Sequence, residues 1–177
     1  MRITAAGSIL CIIDVQEKLL AAMADGSRVV DRCLRLARAA RLLDVGTILT
    51  EQYPRGLGST PAELAASLPE PVSKLSFSCC GSPAFPGRSL EQTTAIVIAG
   101  LETHVCVAQT ALDLLARGQT VFVAVDAVSS RHAIDHETAL RRLESAGAWL
   151  TTSEAVIFEW LDTAEHPRFQ DVRRLVR

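Results

Sequence analysis

The chain lacks the features that mark several protein classes. No apolar run approaches the ~20 residues that a bilayer-spanning helix needs. No G-x-G-x-x-G follows the first apolar run and no G-x-x-x-x-G-K occurs, which argues against a nucleotide-binding domain. The formal net charge is −2 and basic residues are scattered apart from a short C-terminal group, so nucleic acid is not an expected partner.

The five cysteines form neither a disulfide framework nor a metal-binding pattern. Their number is odd, their spacing is irregular, and no C-x-x-C pair suggests zinc. The short apolar run near the N-terminus ends in Asp14 and lacks the pattern of a signal peptide. Free thiols and the absence of such a peptide predict a reduced, cytoplasmic location. Neither a cofactor nor a metal is predicted.

The order of apolar runs predicts an α/β protein. With 177 residues, 49% of them hydrophobic, the chain can form one domain (1–177) with a substantial core. Near-continuous apolar runs alternate with helical periodicity, as in a parallel sheet covered on both faces. We therefore predict a three-layer, doubly wound, Rossmann-like fold with a mostly parallel six-stranded sheet and helices on both faces. The predicted strands are Ser8–Asp14, Gly46–Glu51, Pro71–Lys74, Thr94–Gly100, Thr120–Asp126 and Ala148–Thr152, and the main helices are Arg28–Leu43, Val105–Arg117 and Asp135–Ala146.

Two segments rich in glycine and proline interrupt the alternation. Tyr53–Pro71 follows the second predicted strand, and Ser76–Ser89 follows the third. Because both lie after strand ends, both are candidate site-forming loops. Within the first loop we predict a short helix near Pro61–Ser67, with Thr60 as its N-cap.

An acid, a cation and a thiol stand at the ends of three predicted strands. Asp14 closes the first strand, Lys74 closes the third, and Cys106 follows the fourth after a short turn. Taken singly, each has an ordinary explanation, as a turn residue, a surface lysine and a small core residue. Their shared position predicts one site, because ligands of open α/β sheets bind at strand carboxyl ends. The predicted helix from Val105 also places Cys106 near a helix N-terminus, where a thiolate is favoured.

These segments resemble the isochorismatase-like cysteine hydrolases. The similarity lies in Ile12–Leu19, Ser73–Ser78 and Gly100–Val107, which carry the aspartate, lysine and cysteine in the order of that family. Thr50–Gly58 and Asp126–Arg131 are similar as well, most of all to small single-domain isochorismatase-domain proteins of unassigned substrate. The resemblance covers most of the chain.

The resemblance implies a reaction and a set of roles. Cys106 would be the nucleophile, Asp14 would accept and return protons, and Lys74 would hold the aspartate and favour the thiolate. Backbone N–H groups of Cys106 and Glu102 would form the oxyanion hole, beside a non-proline cis peptide bond between Leu101 and Glu102. The implied reaction is cleavage of a small amide or related C–N bond through a covalent thioester.

Two departures from the family narrow the substrate. Nicotinamidases carry a metal-binding aspartate and histidines after the second strand, whereas this chain has Glu51–Pro54, without histidine. His132 and His136 have the i,i+4 spacing of a metal pair, but we interpret them as a solvated helix start because further ligands are not evident. True isochorismatases lack the nucleophilic cysteine, so Cys106 favours an amide over isochorismate.

Further residues are candidates for substrate contact and for assembly. Gln16 could hydrogen-bond a small-molecule substrate or cap a helix, and Tyr53 and Phe77 could wall the pocket or pack against the domain or a subunit. Loop and C-terminal aromatic residues, together with the resemblance, predict a homo-oligomer. The expected interface residues are Tyr53, Pro54, Phe77, Phe85 and Trp160. The alternative function is a non-catalytic α/β binding or assembly module that retains the fold, which the intact set of Asp14, Lys74 and Cys106 disfavours.

Overall fold

The computed structural model describes residues 1–85 and 93–177 and is built around one parallel six-stranded sheet. Its strands are β1 (Ser8–Ile13), β2 (Gly46–Gln52), β3 (Val72–Lys74), β4 (Ala95–Leu101), β5 (Val121–Ser129) and β6 (Trp149–Thr151). All neighbouring strands pair in parallel, in the order β3-β2-β1-β4-β5-β6. This order is that of a doubly wound dinucleotide-binding sheet, and the predicted fold class is confirmed.

Helices cover both faces of the sheet. The described α-helices are α1 (Glu17–Ala21), α2 (Gly26–Leu42), α3 (Pro54–Leu57), α4 (Ala62–Ala65), α5 (Ala108–Ala116), α6 (Ala133–Ser145), α7 (Ser153–Leu161) and α8 (Phe169–Leu175). A π-helical turn, Thr103–Val107, leads directly into α5. Within the described residues, no helix combines the length and the apolar content of a bilayer span.

Alternate residues of the central strands supply two separate cores. In β1, Leu10 and Ile12 join the core under α2, α7 and α8, whereas Cys11 and Ile13 join the core under α5 and α6. This division follows from the period of two in a strand, where successive side chains point to opposite faces. A strand buried on both faces has few positions for polar residues, which explains the near-continuous apolar sequence.

The structure corrects three local predictions. β5 continues to Ser129, past the predicted end at Asp126. Thr60 does not cap α4: Pro61 occupies the N-cap position, and the Thr60 hydroxyl donates to the buried Glu51 carboxylate at 2.8 Å. The helix after β4 begins at Ala108 because the preceding residues form the π-helical turn. Residues 86–89 of the second predicted loop lie outside the described residues.

The strand order reverses between β1 and β4, which creates a crevice at their carboxyl ends. Near the end of β4, Gly100 has φ 114°, and a Cβ atom there would lie 2.0 Å from the Ile13 carbonyl oxygen. Only glycine fits this close approach without strain. The two strands therefore converge where the chain continues to Asp14 on one side and to Cys106 on the other.

Candidate active site

Asp14 lies at the centre of a buried polar cluster. It follows β1 directly with φ 51°, in the left-handed region that few residues other than glycine adopt. Its Oδ2 accepts a hydrogen bond from Lys74 Nζ at 2.7 Å, and its Oδ1 accepts one from Thr50 Oγ1 at 2.7 Å. Thr50 comes from β2, beside β1, and Lys74 from β3, one strand further out, so the sheet itself fixes the orientation of the carboxylate.

Lys74 ends β3 and carries its ammonium group into the same cluster. Both the Lys74 and Asp14 side chains are 0% exposed. Besides Asp14, Nζ donates to Gln52 Oε1 at 2.8 Å and to the carbonyl oxygens of Phe77 and Ser76 at 3.0 and 3.3 Å. Burial opposes the charge, but attraction to Asp14 outweighs it and the pKa of Lys74 is raised. Lys74 is therefore a permanent cation here and has no free lone pair for chemistry at neutral pH.

Cys106 lies in the π-helical turn, beside this ion pair. Its side chain is 5% exposed and belongs to the core under α5. Burial and the Asp14 carboxylate raise the pKa of the thiol, and Lys74 opposes them without prevailing. Cys106 lies near the start of a helical run, as predicted, but the predicted resting thiolate is wrong, because burial and the Asp14 carboxylate outweigh the favourable charges. A protonated thiol facing a carboxylate is arranged for proton transfer.

Two polar residues of β2 complete the cluster, and sequence reasoning missed both. Thr50 pairs in register with Ile13 and Gln52 with Lys74, which places their side chains against Asp14 and the ammonium group. They are alternate residues of one strand and so share a face. In the sequence, Thr50 and Gln52 are recognisable only as polar residues at the end of an otherwise apolar strand. Their role can be inferred once β2 is known to lie between β1 and β3.

Gln16 does not cap the helix that follows it, and its contact with substrate stays a prediction. It occupies the N-cap position of α1, but its side chain makes no capping bond there. Its Nε2 donates to the carbonyl oxygens of Gln52 and Gly58 at 3.1 and 2.6 Å, and its Oε1 accepts from the Gln52 N–H at 2.8 Å. The buried amide therefore ties the loop after β1 to the end of β2.

Tyr53 and Phe77 lie on the loops that follow β2 and β3. Their side chains are 51% and 53% exposed, and Leu75 between them is 76% exposed. Lys74 fixes both loops, since its carbonyl accepts from the Tyr53 N–H at 2.9 Å and its ammonium donates to Phe77. A cavity of about 300 Å³ opens beside Lys74 and Leu75. The two aromatic side chains are thus available to a substrate or to a second subunit.

The turn between β4 and Cys106 has an unusual backbone. The peptide bond between Leu101 and Glu102 is cis, and both residues are buried. The Glu102 carboxylate accepts hydrogen bonds from the N–H and the Nε of Arg131, at 3.2 and 3.0 Å. The oxyanion-hole role of the backbone N–H groups in this turn stays a prediction.

His132 and His136 lie in different surroundings. His132 is exposed at the N-cap position of α6, whereas the partly buried His136 ring bonds through Nδ1 to Thr103 Oγ1 at 2.9 Å. The interpretation of both residues as solvated is therefore wrong for His136. Across residues 1–85 and 93–177, His, Cys, Asp and Glu do not cluster in a way that could hold a metal ion.

Three sets of known proteins are similar to this chain. The family model described as Isochorismatase domain matches residues 8–155. Isochorismatase domain-containing protein 2A of Mus musculus is 43% identical over 178 residues, which cover 99% of this chain and 85% of that protein.

Three solved structures extend the comparison. The MAR1 ribonuclease of Caenorhabditis elegans is 42% identical with a TM-score of 0.94, over 99% of this chain and 92% of that one. YcaC of Escherichia coli, described as an octameric hydrolase of unknown specificity, is 26% identical with a TM-score of 0.87, over 99% and 95% of the chains. YcaC of Pseudomonas aeruginosa, described with covalent acrylamide, is 26% identical with a TM-score of 0.88, over 97% and 89%.

Proposed function

Because the chain belongs to the isochorismatase family, which supports a hydrolase, we propose that it cleaves a small amide or related C–N bond through a thioester. One observation carries the proposal: a thiol, a carboxylate and a buried ammonium group meet at the crevice where the strand order reverses. Cys106 is the nucleophile, Asp14 the proton acceptor and donor, and Lys74 the cation that holds the Asp14 carboxylate in place.

The first half of the reaction uses Asp14 as a base and then as an acid. As Cys106 Sγ attacks the substrate carbonyl carbon, the thiol proton passes to the Asp14 carboxylate and the carbonyl oxygen becomes an oxyanion. Backbone N–H groups of the turn stabilise this oxyanion. When the tetrahedral intermediate collapses, protonated Asp14 gives its proton to the leaving nitrogen, the C–N bond breaks and an acyl thioester remains on Cys106.

The second half repeats the sequence with water. Asp14, again a carboxylate, takes a proton from the attacking water while the new C–O bond forms at the thioester carbon. Collapse of the second intermediate breaks the C–S bond, and the proton returns from Asp14 to the departing sulfur. The products are a carboxylic acid and the original thiol. Because the raised pKa of Cys106 keeps the thiol protonated at rest, the mechanism depends on Asp14.

Hydrolysis of RNA is a second candidate, because the relative from C. elegans is described as a ribonuclease. RNA binding draws on lysine and arginine side chains that neutralise phosphates. Two cations at the site already form ion pairs with carboxylates, Lys74 with Asp14 and Arg131 with Glu102. The formal net charge of −2 adds no general attraction for a polyanion. These observations favour the amide.

The deciding experiment compares wild type, Cys106→Ala and the matched control Cys80→Ala on a panel of small amides and on labelled RNA. We expect ammonia release from at least one amide by wild type and Cys80→Ala, none by Cys106→Ala, and an acyl adduct on Cys106 by mass spectrometry. Equal release by wild type and Cys106→Ala would refute the cysteine mechanism. Cleavage of RNA without any amide would favour the second candidate, and ligand binding without turnover would favour the module.

We also propose that the protein acts as a homo-oligomer in the cytoplasm. The octameric state described for YcaC and the exposed Tyr53 and Phe77 support assembly, and five free cysteines suit a reducing compartment. Phe85 and Trp160 are removed from the expected interface, because both are buried in the cores of the chain itself. Light scattering at micromolar concentration tests the proposal, and a monomer would contradict it.

A further inference from the structure

Three consecutive side chains of the turn before Cys106 bond to the segment that follows β5. Glu102 accepts from Arg131, Thr103 Oγ1 pairs with His136 Nδ1 at 2.9 Å, and His104 Nδ1 pairs with Ser130 Oγ at 2.9 Å. The partners thus come from one short stretch, residues 130–136, which leads from the end of β5 into α6. We call these three contacts the turn clamp.

The turn clamp is buried where it meets the turn. Thr103 is 0% exposed, and Glu102 and Ser130 are both buried. Polar groups in such a position are costly unless their hydrogen bonds are made, so these contacts constrain the chain on both sides. Several ordered partners on successive residues leave the turn little freedom to rotate.

Regular helical bonding does not by itself fix this turn. The Glu102 carbonyl oxygen accepts from both the Val105 and the Val107 N–H groups, at 3.1 and 3.2 Å, so the chain widens to a π-helical turn around Cys106. Single wide turns of this kind are frequent at functional sites. The three side-chain contacts of the turn clamp add to the restraint that the backbone bonds provide.

We propose that Ser130, Arg131 and His136 are positioning residues for the nucleophile: through the turn clamp they hold the Cys106 thiol against Asp14. The inference rests on the proposed cysteine hydrolysis and adds to it a set of residues outside the reacting groups. The titratable and charged groups that face the thiol are Asp14, Lys74 and Cys79, each from a different element. A thiol released from the clamp moves away from Asp14 in particular.

Release of the turn clamp should make the Cys106 thiol ionise more readily and should nevertheless slow turnover. Burial and the Asp14 carboxylate both raise the pKa of the thiol, so a thiol that moves away from Asp14 loses the second of these causes and ionises more readily. Turnover nevertheless falls, because Asp14 no longer receives the thiol proton and Sγ no longer lies on the line of attack. A displacement of the order of 1 Å at a reacting atom costs about 100-fold in rate.

The experiment uses Thr103→Val and His136→Leu, which remove the same hydrogen bond from either side, with His136→Asn as the variant that restores a polar atom near Nδ1. His132→Leu, at the exposed start of the same helix, is the matched control. Ser130→Ala releases the turn separately, should the His136 variants fold poorly. Each protein is assayed for kcat and KM on a responsive amide, for melting temperature, and for alkylation of Cys106 by acrylamide as a function of pH.

We expect kcat to fall about 10- to 100-fold with little change in KM in Thr103→Val and His136→Leu, and no further fall in the double variant. The pH midpoint of Cys106 alkylation should move down towards the ~8.5 of a free cysteine, with recovery in His136→Asn. An unchanged midpoint and kcat in all clamp variants, with a lowered melting temperature alone, would overturn the turn clamp. If Cys106→Ala keeps turnover, the proposed function fails instead, and the alkylation midpoint still decides the clamp.

Discussion

Replacing Lys74 by methionine tests the central ion pair. The change keeps most of the aliphatic chain and removes the ammonium group, so it leaves the Asp14 carboxylate buried without its cation. The side chains of both partners are 0% exposed. Solvent therefore cannot take the place of the lost charge, unlike at a surface pair, which contributes about 0–1 kcal/mol.

The expected loss in the free energy of unfolding follows from the interactions that Asp14 and its neighbours lose. Breaking a buried pair from one side typically costs about 3–5 kcal/mol, because the remaining charge is uncompensated. Asp14 keeps the hydrogen bond from Thr50, but Gln52 Oε1 and the Phe77 carbonyl lose a donor as well. We therefore expect Lys74→Met to lower the free energy of unfolding at pH 7 by about 3–5 kcal/mol.

The assay is urea unfolding of wild type, Lys74→Met and the control Lys18→Met at several pH values. Lys18 Nζ also donates to a backbone carbonyl, of Gly56 at 2.7 Å, but at the surface. In Lys74→Met the Asp14 carboxylate is buried without a cation, and lowering the pH until it is protonated removes that unpaired charge. The deficit should therefore be largest at neutral pH and shrink as the pH is lowered towards ~4.

A loss of less than about 1 kcal/mol at pH 7, similar to that of Lys18→Met, would refute the reasoning, because it would mean that Asp14 is solvated or neutral in the native protein. A deficit that does not change with pH would point to lost packing rather than to lost charge.

Three further outcomes are expected from the same geometry. Alkylation of Cys106 by iodoacetamide should be slow at pH 7, and its rate should keep rising with pH beyond the range of a free cysteine, because burial and Asp14 raise the pKa of the thiol. A rate that is already at its plateau at pH 7 would contradict the raised pKa. Asp14→Asn should abolish turnover, because an amide cannot accept the thiol proton. It should lower stability less than Lys74→Met does, because Lys74 keeps its other acceptors. Urea unfolding and a turnover assay check these two results, and retained activity would contradict the role of Asp14 as the base. Gly100→Ala should lower the melting temperature sharply and disturb the site, because its Cβ would meet the Ile13 carbonyl oxygen at φ 114°; an unchanged melting curve would contradict the close approach of β1 and β4.

The sequence by itself determined the fold class and the grouping of Asp14 and Lys74. Near-continuous apolar runs, alternating with helical periodicity, specify a parallel sheet covered on both faces, because hydrophobic period and strand length report burial directly. Residues that follow such strands must gather at one edge of the sheet, so the positions of an acid and a cation in the chain imply their proximity. This inference needs no knowledge of side-chain contacts.

Only the tertiary structure decided what these groups do to one another. The raised pKa of Cys106 depends on its burial and on the distance to a carboxylate, which helix propensity cannot report. The supporting roles of Thr50 and Gln52 follow from β2 lying between β1 and β3. His136 reaches Thr103 because β5 lies beside β4, although 33 residues separate the two in the chain. Strand order is set by long-range packing, and the partners that it brings together have no signature in the sequence nearby.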